Sequence, residues 1–335
     1  MTVRPLLVAL VALALPAAAC SSGGPATTSF GSPASRAPAS KAPSAPRGVV
    51  TVTEARAILD QWEKAEKEVN RQGATDWTAA EAGLAAEISN AEGKINKMLG
   101  ESSSWKAVVK PRFAIPGKVS GAPWFMAEFG RKGASGWWQT IFQKTSAGWR
   151  AVAMSATTSK ARPPAAARDE NGLATTVAPD DGDALIASPR QIAQAHARLQ
   201  STFGEDRRAG RVFAADSAAR LNAKGRADDR KELRDQWTMT VRSQPAQEIY
   251  ALRTSAGGAL VWYGIRQQLT MTARPGAGTT LGVTNRIGRA LSHGNRFSRK
   301  AVFKDAGMYL AVVPKSPGIV RIPGEWFTQT SITGS

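Results

Sequence analysis

Cysteine is nearly absent: Cys20 is the single cysteine among 335 residues. A disulfide within the chain, a thiolate metal cage and a redox pair are therefore excluded. Histidine is almost as scarce, with His196 and His293 only, and no His-Glu-x-x-His or comparable metal-ligand spacing occurs. No metal or cofactor is expected. A Gly-x-Ser-x-Gly elbow is missing, as is a Ser-x-x-Lys signature with its partner motifs. Asp180-Asp181-Gly182-Asp183 lacks the ligand spacing and closing glutamate of a calcium loop. The glycine-rich run 276–282 has no Lys-Ser/Thr ending and reads as a hairpin connection, not a phosphate loop. Acidic side chains are few, 26 against 44 Lys and Arg, for a formal charge of +18. The one long apolar run, residues 6–15, is too short for a bilayer span, which takes about 20 residues.

That run has a clear use. Arg4 precedes it, and Pro16-Ala17-Ala18-Ala19 leads directly into Cys20. A basic start, a short apolar region and a small-residue cleavage stretch make residues 1–19 an export signal. Cysteine at the first mature position resembles the lipobox of bacterial lipoproteins, which implies acylation of Cys20 and a lipid anchor on the extracytoplasmic face of the cell membrane. Plain secretion after cleavage at the same place is the alternative, and it leaves a free thiol open to oxidation. Residues 20–48 follow as a tether rich in Ser, Ala, Pro, Gly and Thr, charged only at Arg36, Lys41 and Arg47. Such a composition cannot offset its ordering entropy, and as a flexible coil it spans about 30 Å.

The body reads as α+β in two tandem domains. Thr51 and Glu54 form a capping box, and Ala55, Ile58, Leu59, Trp62, Ala65 and Val69 recur at helical spacing. A second box at Thr78 and Glu81 predicts another helix with Leu84, Ile88, Ala91, Ile95 and Met98 on its stripe. Short strands are then expected at 105–115, 124–129, 137–143 and 149–155, giving a first domain over 49–158. Residues 159–187 read as a linker. Ser188, Pro189 and Gln191 open the second domain, 188–335, as a capped helix. A helical stretch is expected at 212–221, and strands return from Trp237. The clearest of them is 259–272, with Val261, Tyr263, Ile265, Leu269 and Met271 on one face and Trp262 on the other; others fall at 301–304, 308–313 and 318–322. By element order each half is analogous to a cystatin-like or nuclear-transport-factor-2-like unit, helices packed on an antiparallel sheet, an analogy that carries no function.

The lipobox, the Ala/Pro/Ser tether and the Arg-rich, Ala-rich body resemble secreted lipoproteins of actinobacteria. The Pro-Trp-Phe-Met-Ala segment at 123–127 and the Val-Val-Pro…Ile-Pro-Gly segment at 312–324 resemble a family in that group whose domain has no assigned function. The resemblance implies a surface-exposed lipoprotein and carries over no active-site residue.

Charge and tryptophan supply the candidate sites. Arg286, Arg289, Arg296, Arg299 and Lys300 lie in a stretch with no acid between Asn285 and Lys300. Outside the cytoplasm such a cluster meets anionic cell-wall polymers or lipid headgroups and no nucleic acid; a solvated arginine-rich face is the plainer reading. Ten tryptophans are present. Trp124, Trp137 and Trp138 could pack a core or line a pocket, and adjacent Trp137 and Trp138 must point to opposite faces of a strand. Glu128, Asp235 and Glu248 are general-base candidates if a sheet cavity buries them. His196 is expected at an interface or exposed, and His293 in a loop. The sequence thus points to a non-enzymatic envelope lipoprotein with a binding or scaffolding role, with a protein partner it does not name. The alternatives are a small-ligand module with an aromatic-lined pocket, or a hydrolase or isomerase in a sheet cavity.

Overall fold

The computed structural model describes residues 48–101, 105–157 and 162–335; the signal segment, Cys20 and nearly all of the tether lie outside these. Two helices come first, α1 (Val52–Arg71) and α2 (Gly83–Leu99), then four strands, β1 (Val108–Ala114), β2 (Trp124–Arg131), β3 (Trp138–Thr145) and β4 (Gly148–Thr157). The second half opens with α3 (Pro189–Ser201), α4 (Arg207–Val212) and α5 (Ala218–Leu233). Long strands β5 (Trp237–Arg253) and β6 (Ala259–Ala273) follow, then the short elements β7 (Leu281–Gly282), α6 (Arg286–Leu291) and β8 (Arg296–Phe297), and last β9 (Lys300–Val313) and β10 (Arg321–Gly334). The protein is α+β, and its major sheet is antiparallel throughout. Among the described residues no helix is long and apolar enough to cross a membrane.

Both capping boxes at Thr51 and Ser188 form as the sequence requires, each with its reciprocal pair of side-chain bonds. The box expected at Thr78 does not. Residues 80–82 instead pair with β4, Ala82 N–H donating to Ala151 and Ala151 N–H to Ala80, so α2 starts only at Gly83 and has no side-chain cap. A backbone committed to a strand cannot also open a helix. The helical stretch expected at 212–221 is met only at its ends: Val212 closes α4 and 218–221 open α5, while Phe213 leaves the helix to bridge Val320 and fill the core.

The strands of the two halves share one sheet, in the order β1-β2-β3-β4-β10-β9-β6-β5. The joint is narrow: among the described residues only Gly324–Thr157 and Glu325–Ala156 pair β10 with β4. α2 packs on β4, β9 and β10 next to this joint, with Leu84 close against Gly264 of β6, where a Cβ would come within 2.1 Å of Leu84 Cδ2. Gly93 of α2 is equally constrained, since a Cβ there would lie 1.6 Å from the Ala74 carbonyl oxygen.

The segment 165–177, read from sequence as linker, hydrogen-bonds to both outer strands. Ala167 N–H donates to Arg253, Arg253 N–H to Thr175, and Val177 N–H to Ala251, all along β5. On the other side Ala174 N–H donates to Ile115 just past β1, and Arg168 donates to the Phe113 carbonyl. This closing segment thus bridges the ends of the two outer strands. Inside it the faces of the two halves meet: Trp124 packs edge-on against Tyr250 at 5.3 Å, and Met126, Leu252, Trp262, Met308 and Leu310 share the same core. The outer face of the first half, Phe125, Phe129 and Phe142, packs on Trp62 of α1 and its neighbours. On the outer face of the second half, Val261, Tyr263 and Ala311 pack with Ile192, Ala197 and Leu199 of α3. A third cluster, including Trp237, Met271 and Phe297, holds the far ends of β5 and β6 against α6 and β8.

Candidate functional site

Two places present chemistry to solvent. The first is a cleft of about 260 Å³ where the closing segment meets the sheet. Residues 119–120 after β1, 176–179 of the closing segment, 248–251 of β5, Trp124 and Gln143 form its walls. A second lobe of about 130 Å³ lies between the start of α2, β4 and β6, and shares Gln143, Glu248 and Tyr250 with the first. Among the described residues no lysine, arginine or histidine lines either lobe. Tyr250 is 5% exposed, yet its hydroxyl is buried without a hydrogen-bond partner among the described residues. Burial, reinforced by the Glu248 charge, pushes the phenol pKa up, so this group remains a proton donor across the physiological range.

Of the three tryptophans singled out as pocket candidates, only Trp124 reaches this cleft. Trp138 shares a face with Phe129 and meets Trp326 edge-on at 5.9 Å. The Arg162 guanidinium covers Trp137 at 3.5 Å. The pair does diverge as strand geometry demands, but neither ring joins Trp124. Glu128 is buried and held 3.6 Å from Arg162, Asp235 is exposed beside Arg234, and Glu248 stands exposed at the cleft.

The second place is a basic lobe. Arg286 and Arg289 lie on α6, Arg296 on β8, and Arg299 and Lys300 at the entry to β9, all exposed. Arg286 is ion-paired with Glu101 and donates to the Leu99 carbonyl, tying α6 to the end of α2. The other four have no ion-pair partner among the described residues.

Several buried polar groups lie away from both places. Arg131 donates two bonds to Glu66, at 2.6 and 2.8 Å, and its guanidinium lies among Trp62, Phe129 and Trp138 at 5.2 to 5.6 Å. Glu81 accepts from Ser89 at 2.6 Å, and burial pushes its carboxyl well up. Glu92 accepts from the Trp326 indole at 2.8 Å, and burial raises it to about 7. None of these carboxylates lines the cleft. His196 corrects the sequence expectation: it is fully buried, 2.9 Å from the Tyr263 hydroxyl and packed on Tyr309 and Phe213. Desolvation pushes its pKa down to about 3, so it is neutral. The charged residues of α3 hid it, because position 196 falls on the buried stripe with Ile192 and Leu199. His293 sits exposed in the turn after α6. Among the described residues no group of three or more His, Cys, Asp or Glu is placed to hold a metal ion.

The geometry defines an α+β protein with an eight-stranded antiparallel sheet bridged at its margins, a small uncharged-to-acidic cleft and a separate basic lobe. The chain belongs to the family described as a domain of unknown function, DUF8094, which it matches over residues 46–334. It is similar to an uncharacterized lipoprotein of Streptomyces avermitilis, 27% identical over 176 residues. That alignment covers 52% of this chain and 51% of the relative, so the chain spans about half the length of the curated relative it matches. No solved structure matches the chain.

Proposed function

We propose that the protein is a non-enzymatic lipoprotein, held on the extracytoplasmic face of the cell membrane by lipid on Cys20, that binds anionic cell-wall polymer through its basic lobe. The observation that carries the binding role is the placement of Arg289, Arg296, Arg299 and Lys300 on one exposed lobe without acidic partners. Elsewhere on the surface arginines are commonly paired, as Arg190 is with Asp180 and Arg230 with Glu205. Unpaired cations keep their field available to a polyanion, over a screening length of about 8 to 10 Å. Loss of residues 1–19 removes only Arg4, so the balance falls from +18 to +17 and stays strongly basic. The lipoprotein identity of the Streptomyces relative supports the anchoring, as does the order of signal, cysteine and tether.

Two results test this. Cys20→Ser is expected to move the protein from the membrane fraction to the medium or the soluble fraction; retention in the membrane at the parental level sinks the anchor. For the lobe, residues 49–335 are titrated against sacculi with and without their anionic polymers. Binding should require the polymer, fall steeply with salt, and drop about tenfold or more in Arg289→Glu/Arg296→Glu/Arg299→Glu, since each cation near a charged surface is worth about 1 kcal/mol. Equal binding by the parent and the triple variant removes the lobe from the account. Arg286 is left out because its partner Glu101 already engages it.

A further inference from the structure

We propose that the cleft between the closing segment and the sheet binds a neutral, hydroxyl-rich ligand about one sugar ring in size. This goes beyond the polyanion reading, because it rests on different residues and the opposite electrostatics. In a chain of charge +18, not one cation among the described residues lines either lobe of the cleft. An anionic ligand would find nothing there to pair with. What the cleft does offer is one carboxylate, Glu248, with no ion-pair partner among the described residues, the amide of Gln143, the hydroxyls of Ser120 and Thr176, and the rings of Trp124 and Tyr250. Carboxylate and amide oxygens accept from hydroxyls, while the amide N–H and side-chain hydroxyls donate back. Aromatic rings supply an apolar wall for the C–H faces of a saccharide ring.

Size points the same way. The larger lobe, at about 260 Å³, falls just below the range of about 300 to 1,000 Å³ usual for drug-sized ligands.

Tyr250 provides an independent pointer. A buried hydroxyl without a partner is costly, and folded proteins rarely leave one in place. This one belongs to a residue that, with Gln143 and Glu248, is common to both lobes, and its phenol is kept protonated by burial. Its oxygen is buried in the ligand-free protein, so a ligand oxygen completes it once the Tyr250 ring turns toward the cleft.

The test uses the full chain in detergent micelles, with glucose and N-acetylglucosamine as neutral probes and glucose 6-phosphate as the anionic counterpart, read by saturation-transfer NMR and calorimetry. The neutral sugars are expected to bind equally at low and high salt, and the phosphorylated sugar no more tightly. Glu248→Gln, at an exposed position, should fold normally and weaken binding about tenfold, the scale of a lost hydrogen bond to a charged group. Trp124→Leu should weaken it similarly, with Glu248→Gln carrying the test if the tryptophan variant does not fold. Tyr250→Phe should lower affinity while raising the melting temperature of the sugar-free protein, because it deletes the orphan hydroxyl. Absence of neutral-sugar binding overturns the proposal. So does binding that Glu248→Gln and Tyr250→Phe leave unchanged, or a salt-sensitive preference for the phosphorylated sugar. The charge-reversed lobe variant should keep full sugar affinity, so failure of either proposal leaves the other standing.

Discussion

Arg131→Met is expected to destabilise the protein by about 3 to 5 kcal/mol, the usual result of removing one partner from a buried ion pair. Arg131 and Glu66 are only 9% and 12% exposed at their side chains, and the guanidinium also donates to the Lys106 carbonyl. Methionine refills much of the space among Trp62, Phe129 and Trp138, so the lost volume is minor and the stranded Glu66 carboxylate dominates the cost. Desolvation already pushes that carboxyl up against the pull of Arg131; without the arginine it must take up a proton or find water. Adding Glu66→Leu should therefore restore most of the loss. Denaturant midpoints for the parent, both single variants and the double variant measure the coupling. A single variant within 1 kcal/mol of the parent, or a double variant no better than Arg131→Met, would show that this pair does not hold α1 to β2.

Stability should also fall as pH rises from about 5 to 8, the reverse of ordinary acid denaturation. Glu92 moves from the usual 4.5 to about 7 on burial. A carboxyl raised in the folded state binds its proton more tightly there than in the unfolded chain. Its contribution is complete below the unfolded value and is lost as pH climbs through 7. The span from 4.5 to about 7 corresponds to a change on the order of 3 kcal/mol. Glu81, fully buried, shifts in the same direction for the same reason. Below about pH 4 the trend must turn over, because Asp206 and Asp180 are held low by their hydrogen bonds and arginine partners and lose those contacts on protonation. Melting temperatures at pH 5.5 and 8 give the slope. Glu92→Gln should flatten it and be the more stable protein at pH 8, since the amide oxygen can still accept from Trp326. Parallel curves for parent and variant would mean that Glu92 is charged and solvated in the native state.

Helical periodicity and capping boxes located α1 and α3 in the sequence, because these signals are local and the sheet does not compete for them. Alternation located β6 and placed Trp262 opposite Val261 and Tyr263, on the face the structure gives it. Where tertiary pairing competed, local signals misled: Thr78 and Glu81 spell a helix start, but Ala80 and Ala82 pair with Ala151. The expected strands at 301–304 and 308–313 are one continuous strand, β9, and β10 runs on to Gly334 through polar residues that alternation does not mark. At the cleft, Trp124 and Glu248 were visible as candidates, whereas Tyr250, Gln143 and Thr176 were not. Their meeting depends on which segment closes the sheet, a contact between residues far apart in the chain. One composition signal was there to use: the chain has only three tyrosines, and all three are buried at 5% exposure or less.

The closing segment bears on how neighbouring copies of the protein meet. An open sheet of eight strands ends in two unpaired margins, each a template for a neighbouring chain. Here Val108 N–H is taken up by Glu63, Phe113 and Ile115 carbonyls by Arg168 and Ala174, and the Ala251 and Arg253 backbone by residues 167–177. At these positions a neighbouring copy finds the strand margin already taken. The final strand, β10, completes this arrangement, and a chain truncated before Arg321 would expose β4 and β9 instead. Such a product would be prone to strand-to-strand aggregation.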